Sequence, residues 1–211
     1  KPSMTINEAN AFAGKKEGRK LILLMPGSRL MEIEKMLPTL LEAAKIIQKQ
    51  LPEVDFVMPR AGTIPLNLLE EKIQASGLDV SITEGHNYDL FSVADLALAT
   101  SGTVTLEAAL CGLGSVIVYR TNPLTYMIAK LVVNIPHIGL PNIVAGRSVV
   151  PELIQNDFTP AKVAKAAMEL LESERNALMK KDLEYVKERL GKPGAVGRVA
   201  ELVLKIAGEK K

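Results

Sequence analysis

The feature that most constrains this chain is an alternation. Short, almost wholly apolar runs are separated by longer stretches whose apolar residues recur at helical spacing. The run "RKLILLM" (19–25) is closed by Pro26-Gly27, as suits a buried strand. Ile33, Met36, Leu37, Leu40, Ala44, Ile47 and Leu51 follow at helical intervals, with Pro38 expected to split the stretch and open its main helix. "VDFVM" (54–58) reads as a second strand, and Thr63 as the N-cap of a helix with Pro65 in its first turn, running to about Ala75. "LDVSIT" (78–83), "DLALA" (95–99) and "SVIVY" (115–119) supply three more strands. A short helix at 87–94 and one opened by "SGTVTLEAALCG" (101–112) lie between them. Strands apolar throughout and alternating with helices predict an α/β fold, a Rossmann-like parallel sheet flanked by helices on both faces.

Beyond Tyr119 the pattern is mostly helical, apart from a Gly/Pro-bearing loop around 135–150. Thr159 and Pro160 form a strong helix start, a charged helix covers about 174–190, and "GKPG" (191–194) precedes a last amphipathic helix carrying Val196, Val199, Leu202, Val203 and Ile206. The expected organisation is a linker over 1–18, a Rossmann-like domain over 19–190, and a C-terminal helical segment over 191–211.

Composition removes several function classes. With 211 residues, 47% hydrophobic and 24% charged, the chain has the make-up of a globular protein with a real core. The net charge is only +2 and the basic residues are scattered, which argues against a nucleic-acid partner. Cys111 is the single cysteine, so no intramolecular disulfide forms, and with two histidines no zinc site is expected. No secretory signal is visible, and Leu124 to Ile135 is too short to span a bilayer. The first residue is Lys1, which reads as the start of a segment of a longer chain.

In an open parallel sheet, ligands bind beyond the carboxyl ends of the strands. Three stretches there are unusual. "PGSR" (26–29) combines a permissive Gly27, the hydroxyl of Ser28 and the forked donor Arg29. It carries neither the dinucleotide fingerprint nor a Walker loop, and a plain strand-to-helix turn explains it equally well. "SGTVTLE" (101–107) opens a helix, whose first N–H groups and positive dipole end attract anions. Glu107 is one residue too late for a capping box with Thr103, because Val104 stands three residues before it. Its carboxylate suits either the helix dipole or the hydroxyls of a ribose. "IPHIGLPNIVAGRSVVPELIQ" (135–155) sets Asn142 and Arg147 among apolar, Gly and Pro neighbours; this is pocket-lining composition, or else a packed connection whose Asn satisfies local backbone. His137, Asp89, Asp95 and Cys111 read as structural, His86 as part of a solvent-exposed Gly-Asn turn, and Lys180-Lys181 as a solvated face.

The segments "LLMPGSRLMEI", "ADLALATSGTVTLEAALCG", "VYRTNPLTYMIAKLVV" and "IGLPNIVAGRSVVPELIQNDFTP" resemble, in order, those of the lipid-A-disaccharide synthase family, inverting glycosyltransferases of the GT-B fold. The resemblance covers about residues 19–172. It implies transfer of 2,3-diacylglucosamine from its UDP donor to 2,3-diacylglucosamine 1-phosphate, in lipid A and lipopolysaccharide biosynthesis at the cytoplasmic face of the inner membrane. This chain resembles the C-terminal, donor-binding half of such an enzyme, without a cofactor or metal. The catalytic residues would then belong to an N-terminal domain without counterpart here, so that this half alone is inactive and residues 191–211 pack on that domain. By the same resemblance Gly27, Ser28 and Arg29 meet the diphosphate, helped by Ser101, Gly102 and Thr103. Glu107 holds the ribose, the loop at Gly85 and His86 borders the uracil, and Asn142 and Arg147 lie near the donor. Asn122 stands where a basic residue is expected. Leu124 to Val133 reads either as a face towards membrane or acyl chains or as a core helix. Two alternatives remain: another GT-B-type UDP-N-acetylglucosamine enzyme, against which the 139–155 loop argues, and a non-catalytic UDP-binding module.

Overall fold

A computed structural model describes residues 2–122, 126, 136–192 and 194–208. Except for Tyr126, the stretch Leu124 to Val133 lies outside the described residues. Six strands form one parallel sheet: β1 (Lys20–Met25), β2 (Val54–Arg60), β3 (Val80–Glu84), β4 (Leu96–Thr100), β5 (Ser115–Tyr119) and β6 (Glu152–Ile154). Their spatial order is β3-β2-β1-β4-β5-β6, so the direction of winding reverses between β1 and β4. This is the Rossmann-like sheet that the alternation predicts.

The strands sort their side chains onto two faces with period two. Ile22, Leu24, Leu96, Leu98, Val116 and Val118 enter one core with α2 (Leu30–Gln50), α3 (Leu66–Ser76) and a helix over Pro160–Leu171. Leu21, Leu23, Met25, Ala97 and Ala99 enter the other, against α1 (Ile6–Ala13), α4 (Asn87–Val93) and α5 (Thr103–Leu110). Completing the described helices are α6 (Leu140–Ala145), α7 (the Pro160–Leu171 helix), α8 (Ser173–Leu190) and α9 (Ala195–Gly208). Fully burying one Leu contributes about 1.5–3 kcal/mol, so a sheet covered on both faces is held firmly in register.

Four local expectations are corrected. Residues 1–18, read as a linker, contain α1, which starts with a reciprocal capping box: Thr5 N donates to Glu8 Oε2 at 2.8 Å, and Glu8 N to Thr5 Oγ1 at 3.3 Å. Pro38 lies inside α2 instead of opening a helix. It removes one helical N–H, but its ring is on the exposed face while Met36, Leu37, Leu40 and Leu41 beside it are buried, and this burial carries the helix through. Thr63 does not cap α3; its hydroxyl donates to the Ser28 carbonyl at 2.9 Å, and Pro65 stands at the helix start. The 139–155 stretch, expected to be loop, contains the edge strand β6, whose three residues are too few to show a period.

The N-terminal segment is tied down by Asp89 in α4. Its carboxylate accepts the N–H groups of Ser3 (2.6 Å) and Met4 (2.7 Å) and the Ser3 hydroxyl (3.0 Å). The Met4 N–H first, then Ser3 and His86, hold its pKa down at about 2 against an ordinary 3.8. A depressed carboxylate pKa adds stability that is complete above the unfolded value and is lost as pH falls through the folded one. The stability difference between the wild type and Asp89→Asn, followed by urea denaturation, should therefore be constant above pH ~5 and shrink as pH falls from ~4 to ~2.

Candidate functional site

The turns after β1 and β4 are brought together by the pairing of those strands, with Leu24 opposite Leu98 and Met25 opposite Ala99. Between them opens a cleft of about 500 Å³ at the point where winding reverses. Gly27, Ser28, Arg29, Ser101, Gly102, Thr103 and Glu107 all line it. Seven residues from two separate sequence motifs thus converge on one site.

On the β1 side, Gly27 takes a φ of +122°. A Cβ there would lie 2.4 Å from Glu32 Oε2, so the turn requires glycine on both counts. Glu32, at the third position of α2, folds back over the turn. It accepts from Ser28 N at 2.8 Å, Arg29 N at 3.3 Å and Arg29 Nη1 at 2.8 Å. Arg29 nevertheless extends into solvent, with its side chain 80% exposed.

On the β4 side, α5 begins at Gly102 with no side-chain cap. Thr105, fully buried, donates its hydroxyl to the Gly102 carbonyl at 2.7 Å and shapes that start from within. The Ser101 N–H continues the ladder to the Val118 carbonyl, and its hydroxyl donates to the Ile138 carbonyl, both at 3.0 Å. The N–H groups of Gly102, Thr103 and Val104 have by position no intrahelical acceptor. Glu107 sits one turn further on, half-buried in the cleft wall, with no hydrogen-bond or ion-pair partner among the described residues.

The third wall comes from the turns after β2 and β3. Arg60 lines the cleft and is anchored by the Ile64 carbonyl (2.7 Å) and by Glu84. Gly85 and His86 both take positive φ, but the His86 ring turns towards Phe12 and Asp89, and it is the next residue, Asn87, that reaches the cleft. Arg60, Asn87 and Glu32 were not singled out from sequence. Only Glu32 had a local signal, standing at a helix third position with an acidic side chain.

Besides Gly85, two further expected residues, Asn142 and Arg147, lie outside the cleft lining. Asn142 is fully buried and its amide is saturated: Oδ1 accepts from Val149 N (2.7 Å) and Val150 N (3.0 Å), and Nδ2 donates to Val150 O (2.9 Å) and Glu152 Oε1 (2.6 Å). Arg147 pairs with Asp182 at 2.6 Å and lies over the Tyr185 ring on α8. Glu152 joins this cluster, accepting from Ile138 N and Gly139 N at 2.9 and 3.1 Å. Because Ile138 in turn receives the Ser101 hydroxyl, the cluster braces the start of α5. Cys111 closes that helix as a partly buried thiol, and burial pushes its pKa above the ordinary value.

The close packing at Gly27 is testable. Gly27→Ala should cost about 1–3 kcal/mol in urea denaturation. Glu32→Ala in the same chain should recover part of that loss, because it removes the colliding carboxylate but not the φ strain.

A family profile for lipid-A-disaccharide synthetase matches residues 1–206. The lipid-A-disaccharide synthase of Geobacter sulfurreducens is 40% identical over 211 residues, covering 100% of this chain and 55% of that protein. The lipid-A-disaccharide synthase of Trichlorobacter lovleyi is 41% identical over 203 residues, 96% of this chain and 53% of its own. The chain thus spans about half the length of the curated relatives it matches. Solved structures share the fold at low identity. A co-structure of S. aureus MnaA with UDP superposes at a TM-score of 0.65 with 14% identity, covering 98% of this chain and 51% of that one. WaaG, a glycosyltransferase involved in lipopolysaccharide biosynthesis, superposes at 0.58 with 16% identity, covering 92% and 48%. The whole-length match to the profile and to relatives near 40% identity shows that this chain belongs to the lipid-A-disaccharide synthetase family.

Proposed function

We propose that this chain is the donor-nucleotide half of a lipid-A-disaccharide synthase. The observation that carries this reading is the cleft at the β1/β4 reversal, lined by two helix starts, by Arg29 and by Glu107, whose carboxylate has no hydrogen-bond or ion-pair partner among the described residues. UDP on the departing side of the donor needs positive charge at its diphosphate and an acceptor for its ribose hydroxyls. In this reading Arg29, the Ser28 hydroxyl and the N–H groups of Gly102 and Thr103 take the diphosphate. Ser101 acts through the Ile138 carbonyl, since its own N–H is engaged. Glu107 holds the ribose, and the Gly85–His86 turn, through Asn87, borders the uracil. Asn142 and Arg147 support the loop beside the cleft instead of touching the donor. The MnaA co-structure with UDP, and a UDP-GlcNAc 2-epimerase from Neisseria meningitidis bound to UDP-GlcNAc (TM-score 0.59, 18% identity), support a nucleotide-sugar ligand for a sheet of this type.

The reaction is the transfer of 2,3-diacylglucosamine from UDP to the 6-hydroxyl of 2,3-diacylglucosamine 1-phosphate, with inversion to a β-1,6 bond. The negative charge that grows on UDP as the glycosidic bond breaks meets fixed dipoles and a guanidinium, which need no reorganisation during the step. We place the general base and the acceptor site in the half that the relatives have and this chain does not span, so that these 211 residues alone are inactive. The apolar side chains of α9 support that arrangement: Val196 is 85% and Leu204 71% exposed, a stripe suited to packing on a further domain. Among the described residues no helix is long and apolar enough to cross a membrane; we propose, from the family reading, that the full enzyme meets the inner membrane at its cytoplasmic surface.

Titration with UDP, followed by amide NMR, should shift Gly27–Arg29, Gly102–Glu107 and the turn at Gly85–Asn87. No shift at millimolar UDP would overturn the nucleotide reading. Glu107→Ala should weaken UDP about tenfold and 2′-deoxy-UDP much less, the loss of a charge-assisted hydrogen bond being about 1.5–3 kcal/mol. Equal losses for both ligands would place the carboxylate elsewhere.

A further inference from the structure

The two helix starts that frame the cleft are not in the same condition. At the start of α2, Glu32 already fills the anion position: its Oε2 takes the N–H groups of Ser28 and Arg29, and its Oε1 takes Arg29 Nη1. The carboxylate is pressed onto Gly27, and its side chain is only 18% exposed. At the start of α5 no side chain among the described residues plays that part. Between them, Thr100 ends β4 in the cleft lining, 4% exposed, and its buried hydroxyl has no partner among the described residues. A satisfied helix start, an unsatisfied one and an orphaned hydroxyl therefore meet in a single cleft.

We propose that Glu32 is a specificity-determining residue that sets a charge threshold for the ligand. A ligand with one phosphate binds at α5 and leaves Glu32 where it is. A ligand with two linked phosphates places the second on Ser28 N, Arg29 N and the Arg29 guanidinium, and the carboxylate leaves. The cleft thereby selects nucleoside diphosphates over monophosphates. The inference rests on the nucleotide reading above for the nucleoside and adds the number of phosphates.

Three physical points favour exchange. Both anions are acceptors for the same donors, so no N–H is stranded in either arrangement. The two cannot coexist there, because like charges a few ångströms apart in a half-enclosed cleft repel strongly. The hydrogen bonds holding the Glu32 carboxylate come from the same donors that the second phosphate would take, and Glu32 lines the cleft, so rotation about its side-chain bonds delivers it to water.

The test compares UDP, UMP, inorganic phosphate and pyrophosphate on the wild type and Glu32→Gln by amide NMR titration. In the wild type, UDP and pyrophosphate should shift the Ser28 and Arg29 amides, whereas UMP and phosphate should move amides at the start of α5 and leave those of Ser28 and Arg29 in place. The neutral amide of Glu32→Gln is a weaker competitor, so UDP should bind about five- to tenfold more tightly and UMP less than about twofold. An unchanged or weaker UDP affinity in Glu32→Gln overturns the proposal. So do Ser28 and Arg29 shifts that UMP reproduces in full. The wild-type shift pattern decides alone if the variant does not fold. If UDP fails to bind but pyrophosphate moves Ser28 and Arg29, the nucleotide reading fails and the exchange stands. If pyrophosphate leaves both amides unmoved, the exchange fails.

Discussion

The parallel pairing of β1 with β4 is the contact on which the rest of this structure depends. It joins the two halves of the sheet at the position where winding reverses, so neighbouring strands send their following helices to opposite faces. Two turns distant in sequence then lie side by side with a cleft between them among the described residues. The small residues Ala97 and Ala99 on one face of β4 let α5 approach closely, while Leu96 and Leu98 on the other fill the core under α2. The cleft results from burying both faces of the sheet at once.

Carboxylates do much of the local fastening. Asp89 gathers the N–H groups of Ser3 and Met4, Asp95 that of Leu21, Glu32 those of Ser28 and Arg29, and Glu152 those of Ile138 and Gly139. In each case an acid takes backbone donors in a turn or at the edge of an element, and a charged acceptor is the strong form of hydrogen bond for that task. Glu107 is the exception, lining the cleft without a partner among the described residues. The other acids without a partner among the described residues are exposed, and a half-buried one in the cleft lining is the reason for proposing a ligand at Glu107.

Much of this was legible without coordinates. The run "SVIVY" is β5 to the residue, and Thr159 with Pro160 opens α7 as the capping pattern requires. The motifs "PGSR" and "SGTVTLE" meet in the cleft because both follow strands whose carboxyl ends share an edge. Other readings failed for identifiable reasons. "TINE" (5–8) is a capping box in plain view, yet only one short helix follows it, so the stretch looked like a linker. Pro38 looked like a helix start because proline favours that position, and tertiary burial overruled the preference. Asn142 had the composition of a pocket residue, but its role depended on which backbone groups the fold would leave unpaired at Val149 and Val150.

By itself the sequence determined the alternation of elements, the sheet's two-sided burial and the edge at which a ligand would sit, because periodicity and turn chemistry are local properties. The tertiary structure alone decided which polar groups are consumed and which are free. It spent the Ser101 N–H on Val118, closed Asn142 into its own loop, turned His86 towards α1, and set Glu32 over the α2 start while leaving the α5 start open. A hydrogen-bonding group advertises its capacity in the sequence, but its partner is chosen by which other groups the packed sheet brings within about 3 Å.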